Sequence, residues 1–185
     1  MGDETKKVNI IGNKNKCMVN KLIQDHKEQS CSKKRIVSEK WTFLEEYSYI
    51  YQIQIVKEIL QNNYVHTNDT SKTIIQEINK KISSYKQQDI IKKRLDEAKF
   101  VNFETIIQKM VDVELKCRYC NCEMLVLYDI SREMKQWSVD RVDNDKGHNN
   151  DNFHLACLDC NLKKRRRSDE KFLFTKQLNI IKQNN

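Results

Sequence analysis

Between Ser38 and Leu115 apolar residues recur at intervals of three and four, the repeat of a helix with one buried face. The spacing predicts a first helix over residues 38–61 with a stripe of Trp41, Leu44, Tyr47, Tyr51, Ile55 and Ile59, and Thr42 and Glu45 are spaced for a capping box. The capping residues of "HTNDTSKTIIQEI" precede a second helix that buries Ile74, Ile75, Ile78 and Ile82. A third helix over residues 88–98 offers Ile90, Ile91 and Leu95. Asn102 caps a fourth, "FETIIQKMVDVEL", with Ile106, Ile107, Met110 and Leu115 inward. The aromatic stripe of the first helix reads as core rather than as a base-stacking surface.

From Cys117 the pattern shortens. "CRYCNCEMLVLYD" reads as a knuckle followed by a strand from Met124 to Tyr128, and "QWSV" and "NFHLAC" as two further strands. "LDCNLKKRRRSDE" turns into a helix, and "DEKFLFTKQLNIIKQ" forms a last one that packs back through Phe172, Leu173, Phe174, Leu178 and Ile181. Residues 1–37 are polar, basic and aperiodic, as expected of a flexible arm. The organisation expected is therefore an arm at 1–37, a helical region at 38–115 and a small module at 116–185, in an α+β fold.

Composition narrows the partners. The 185 residues are 38% hydrophobic and 32% charged, with a formal net charge of +8, so one modest core and a polyanionic partner are expected, nucleic acid ahead of an acidic membrane. No run approaches the ~20 apolar residues that a membrane span needs, and "MGDETKKVNIIGNKNK" is no secretory signal. The seven cysteines are accordingly read in a reducing intracellular compartment, cytoplasm or nucleus, as metal ligands or free thiols.

Cys117 with Cys120 and Cys157 with Cys160 form two CxxC pairs. Zn²⁺ takes four thiolates in a tetrahedron, and each CxxC turn supplies two vertices, so the spacing predicts a closed, structural zinc site. Cys122 is surplus, and Cys17 and Cys31 in the arm are free thiols. The segment from Cys117 to Arg167 has few large apolar residues and needs such a staple to fold.

Between the knuckles lie "WSVDRVDNDKGH", "NNDNFHLAC" and "LDCN". Asp140 offers a carboxylate, and Asn161 an amide oxygen at the start of a helix, both hard ligands suited to Mg²⁺ or Mn²⁺. Over residues 117–167 the chain resembles the HNH endonucleases, ββα-metal nucleases often stapled by two CxxC pairs. A looser likeness to HNH proteins of large DNA viruses runs upstream over "KISSYKQQDIIKKR" and "FETIIQKMVDVELKCRYC". The resemblance implies a metal Asp at Asp140, the middle Asn at Asn152 and the helix residue at Asn161. It also implies a general base at position 141, where this chain carries Arg141. A guanidinium cannot accept a proton at neutral pH, but it can clamp the scissile phosphate. His148, and after it Asp143 with a raised pKa, are the candidate bases.

"KKRRR" (Lys163, Lys164, Arg165, Arg166 and Arg167) reads as a phosphate-binding stripe on the helix. His154 on the third strand, His66 in a loop and His26 in the arm read as exposed. The function expected is metal-dependent hydrolysis of DNA phosphodiesters, by nicking or double-strand cutting. Its alternative is a zinc-dependent DNA-binding or packaging protein that keeps the fold and has lost the chemistry. A protein-interaction zinc module suits the basic charge less well.

Overall fold

Ser48 starts the first long helix. Its hydroxyl accepts the Tyr51 N–H, and the chain runs as α1 from Tyr49–Gln61. The computed structural model describes residues 33–41, 48–66 and 68–177. The helix expected from residue 38 is instead a single 3-10 turn, Ser38–Lys40, ahead of α1. Thr42, Glu45, Leu44 and Tyr47 lie outside the described residues. Ile55 and Ile59 are buried as expected, joined by Val56 on the same core.

The second and third expected helices are one. Asn68 and Ser71 form a reciprocal cap, and α2 runs uninterrupted over Asp69–Ile91. Ile74 and Ile78 are fully buried, with Ile75 and Ile82 packed at the core's margin. No helix follows over 92–98, because Lys93 turns the chain in the left-handed region (φ 54°) and the Arg94 N–H returns to the Asp89 carbonyl. Ile90 and Ile91 are exposed, so the periodicity continues past the core it serves. Asn102 caps α3, Phe103–Asp112, which buries Ile106, Ile107 and Met110. The helices α1, α2 and α3 pack on one another.

The segment from Met124 to Tyr128 is largely buried but is not a strand; it makes one isolated bridge, Leu125 with Gln136. Met124 and Leu125 bond to the backbone of Leu115 and Lys135, but Val126 and Leu127 find their partner in a side chain. Gln52 of α1, itself fully buried, accepts the N–H groups of Val126 (2.8 Å) and Leu127 (2.9 Å) through Oε1 and donates Nε2 to the Leu127 carbonyl (3.0 Å). The amide does what a neighbouring strand would have done.

Two strands do form. β1, Trp137–Arg141, pairs antiparallel with β2, Phe153–Cys157, with Asp140 opposite His154 and Trp137 opposite Cys157. α4, Leu158–Lys164, follows β2 directly and lies against both strands. α5 is Asp169–Gln177; Phe172 is buried and Leu173 half-buried, whereas Phe174 is exposed, against expectation. Leu178 and Ile181 lie outside the described residues. The fold is thus α+β, helices with one small two-stranded sheet.

The described residues from Lys33 onward form a single compact unit. Residues 33–37 belong to it rather than to the arm: Lys34 bridges Ile130, and Arg35 donates to the Tyr128 carbonyl and the Glu77 carboxylate. The boundary expected near residue 115 is likewise crossed by the Gln52 bonds. No helix among the described residues is long and apolar enough to cross a membrane.

Candidate functional site

Cys117 and Cys120 stand on the knuckle after α3, and Cys157 and Cys160 span the junction of β2 and α4. Their sulfurs all lie within 4.8 Å of one another, with Cys120 Sγ and Cys157 Sγ 3.8 Å apart. Zn–S bonds of about 2.3 Å place the vertices of a tetrahedron about 3.8 Å apart, so the four thiols fit a zinc ion. Cys157 also caps α4, its Sγ accepting the Cys160 N–H, and Cys117 Sγ accepts the Tyr119 N–H. The Cys117 thiol is pushed down to about 4, chiefly by its hydrogen bond with Cys157, while Cys160 is pushed up to about 12 by burial and by the neighbouring sulfurs. Keeping all four as thiolates requires a cation among them. Cys122, half-buried nearby, is outside the set of four.

The strand alternation of β1 sends Ser138 and Asp140 to one face and Val139 and Arg141 to the other. α4 covers the first face. Asn161 donates its amide to Ser138 Oγ (3.0 Å) and the Val139 carbonyl (3.3 Å). One turn further, Lys164 Nζ meets Asp140 Oδ2 at 2.8 Å and the Arg141 carbonyl at 2.6 Å. Lys164 is fully buried and Asp140 3% exposed, so this is an interior ion pair. Tyr119 Oη, donor to one at a time, touches both Asp140 and Asp169. Burial raises the Asp140 carboxyl above its ordinary value, against the pull of Lys164 and Tyr119. Asp140 and Asn161 therefore lie on facing surfaces, but the oxygen of Asp140 that faces the helix is held by an ammonium and a phenol. As arranged, the pair does not fit a divalent metal, and the four thiols are the only metal-competent cluster of His, Cys, Asp or Glu among the described residues.

Lys164 thus corrects the expected phosphate stripe, which is not one helical face. α4 ends at Lys164, and Arg165 leaves the helix with φ 53°. Lys163 pairs with Asp159, and Arg166 with Asp145. Arg167 donates to the Lys163 and Lys164 carbonyls over the Phe172 ring. His154, expected on the exposed side, is half-buried with Nε2 3.6 Å from Asp169, and burial lowers its pKa.

The loop between the strands follows Arg141 and reaches the end of α4 through Asn144 and Asp145. Asn152 pins it from inside, accepting the Asp143 N–H (2.8 Å) and donating to the carbonyls of Asp143 (2.9 Å) and Gly147 (3.0 Å). Asp143 turns its Oδ1 to the Asp145 N–H and caps the loop. His148 is buried. Its backbone N–H and Nδ1 contact the two oxygens of Asp89 on α2, at 2.6 and 2.9 Å. Burial foremost, then Arg141 and Lys92, hold the imidazole below its ordinary pKa, against the opposing pull of Asp89. Tyr85 stacks on the ring at 4.6 Å and accepts the Val139 N–H through its hydroxyl. The Arg141 guanidinium donates to the Lys146 carbonyl.

Between α2 and α4 opens a cleft of about 390 Å³ lined by Lys81, Tyr85, Gln88, Ser138 and Asn161. Lys81 donates to Gln136 Oε1 and the Trp137 carbonyl, and burial pushes its pKa down to about 7. Asp89, Tyr85 and Lys81 have no sequence signal as site residues, because they sit in the polar stretch of a helix. Only the glycine before His148 hints at a close approach. No protein-family model matches the chain, and neither a curated protein nor a solved structure matches it.

Proposed function

We propose that this chain is an HNH-type nuclease that hydrolyses phosphodiester bonds in DNA. The observation that carries the reading is the hairpin–helix unit: β1 and β2 antiparallel, α4 following without a linker, and Asn161 set against the β1 face that bears Asp140. The four thiols join the knuckle to that unit at its base. Arg141 and the exposed Arg165 and Arg166 supply positive charge for phosphate oxygens, and DNA is the polyanion that a +8 chain attracts. His148, neutral at pH 7, is the base that takes the proton from water, and Arg141 beside it faces the negative charge that develops on phosphorus oxygens. Asn152 keeps the loop that presents them in shape. The expected Mg²⁺ or Mn²⁺ has no arranged site among the described residues.

A second reading is favoured by one observation. The Lys164 ammonium occupies the carboxylate that a catalytic metal would use, which suits a DNA-binding or packaging protein that retains the fold without the chemistry.

Supercoiled plasmid with Mg²⁺ or Mn²⁺ separates the two. The nuclease reading expects nicked or linear product from the wild type and a loss of about 10²- to 10⁴-fold in His148→Ala with binding retained. A mock purification from cells that lack the chain is the background control. Binding without cleavage above that control establishes the binder.

A further inference from the structure

We propose that Asp89, on α2, is a positioning residue that fixes His148 with its proton on Nδ1 and its Nε2 lone pair free to accept a proton. The proposal rests on the nuclease reading and adds a residue from outside the hairpin–helix unit.

Asp89 is fully buried, and both its oxygens are spent on one residue: Oδ2 on the His148 backbone N–H and Oδ1 on Nδ1. A carboxylate accepts only, so the proton between them must sit on Nδ1. Nε2 then carries the lone pair. It has no hydrogen-bond partner among the described residues, yet it is not one of the buried unpartnered atoms, which are Trp137 Nε1 and Asn149 Oδ1. Nε2 therefore keeps contact with solvent at the edge of an otherwise closed ring. Tyr85 holds the plane, its ring inclined 25° to the imidazole. Gly147 makes the approach possible, since a Cβ there would stand 2.5 Å from the Arg94 carbonyl oxygen and 2.9 Å from Asp89 Oδ2. The charged groups that face the imidazole are Asp89 and Lys92 from α2 and its end, and Arg141 from β1. Arg141 occupies the position where the resemblance implies the base, so the imidazole lies beside the place that the guanidinium took over.

A merely structural Asp89 would anchor the loop through the backbone N–H alone. Asp89→Asn distinguishes the two roles. The amide oxygen still accepts that N–H, while its NH₂ faces Nδ1 and favours the opposite tautomer. The wild type should show Nδ1–H and a bare Nε2 in ¹⁵N spectra of His148, and the variant the reverse. Cleavage by Asp89→Asn should fall in kcat by about 10²-fold or more with KM nearly unchanged, in line with the large cost of a wrong tautomer in hydrolase triads. A wild-type spectrum with the proton on Nε2, or a variant kcat within about threefold of wild type, overturns the proposal. A wild type that cleaves nothing overturns the nuclease reading and with it the base role, whereas the spectrum still decides the tautomer, so the two failures are distinguishable.

Discussion

In the run of five cations from Lys163 to Arg167, Lys164 is set apart by burial. Its ammonium is balanced by Asp140, and both side chains are buried. Removing one member of such a pair strands the other, at a cost of about 3–5 kcal/mol, whereas replacing both by uncharged groups costs far less. Lys164→Met should therefore destabilise strongly in urea unfolding, and the Asp140→Asn/Lys164→Met double variant should recover most of the loss. His148 makes a pH-dependent contribution with a definite sign. Its folded pKa lies below the unfolded value of about 6.5, so its neutral form supports the fold above that pH, and the support fades as pH falls through the lower, folded value. Unfolding free energy should drop on going below about pH 6.5, and less steeply in His148→Gln. A slope unchanged by the substitution would show that other groups carry the dependence. Sequence alone could not single out Lys164, because five adjacent cations look alike until a helix and a strand decide which one points inward. The four cysteines that could hold zinc were legible for the opposite reason: their spacing is itself the geometry.

At the scale of elements, what the chain makes locally was readable and what it borrows from afar was not. The caps Asn68 and Asn102, the hairpin strands and the helix after Cys157 all follow from neighbouring residues. Met124 to Tyr128 has the composition of a strand, but whether it becomes one depends on a partner, and the partner is Gln52, far upstream on α1. Gln52→Ala should leave three buried backbone groups unpaired and cost about 2–4 kcal/mol, read as a lowered denaturation midpoint. An effect below about 0.5 kcal/mol would mean that water reaches the segment. The merger of two expected helices into α2 has a similar origin. The isoleucine repeat carries on into Ile90 and Ile91, which face solvent, while the residue of that turn that is buried is the charged Asp89.

For the whole molecule, the four-cysteine cluster and the helical core are joined in one unit. Purified protein should hold about one Zn²⁺ per chain, and Cys157→Ser should lose it and unfold the region around β2 and α4, while Cys122→Ser should do neither. Elemental analysis finding no zinc in folded, reduced protein would contradict this. The same connection predicts that residues 116–177 expressed alone, even with zinc, should give poorly dispersed amide spectra, since Gln52, Arg35 and Asp89 are then missing. Neutralising Arg165 and Arg166 together should weaken binding to all DNA sequences alike. The salt slope should flatten by about 0.9 for each phosphate that is no longer neutralised.

The Gln52 bridge has a consequence for association. A strand paired in a sheet passes its unpaired edge to the next comer, and exposed edges are where chains add to one another. A side-chain amide has no next residue to continue a ladder. By meeting Val126 and Leu127 from within the core, Gln52 engages three backbone groups of the most apolar stretch of the module without creating a further edge. Those three groups are thus closed to strand addition from another chain, and they should reopen as a template for aggregation when the glutamine is lost.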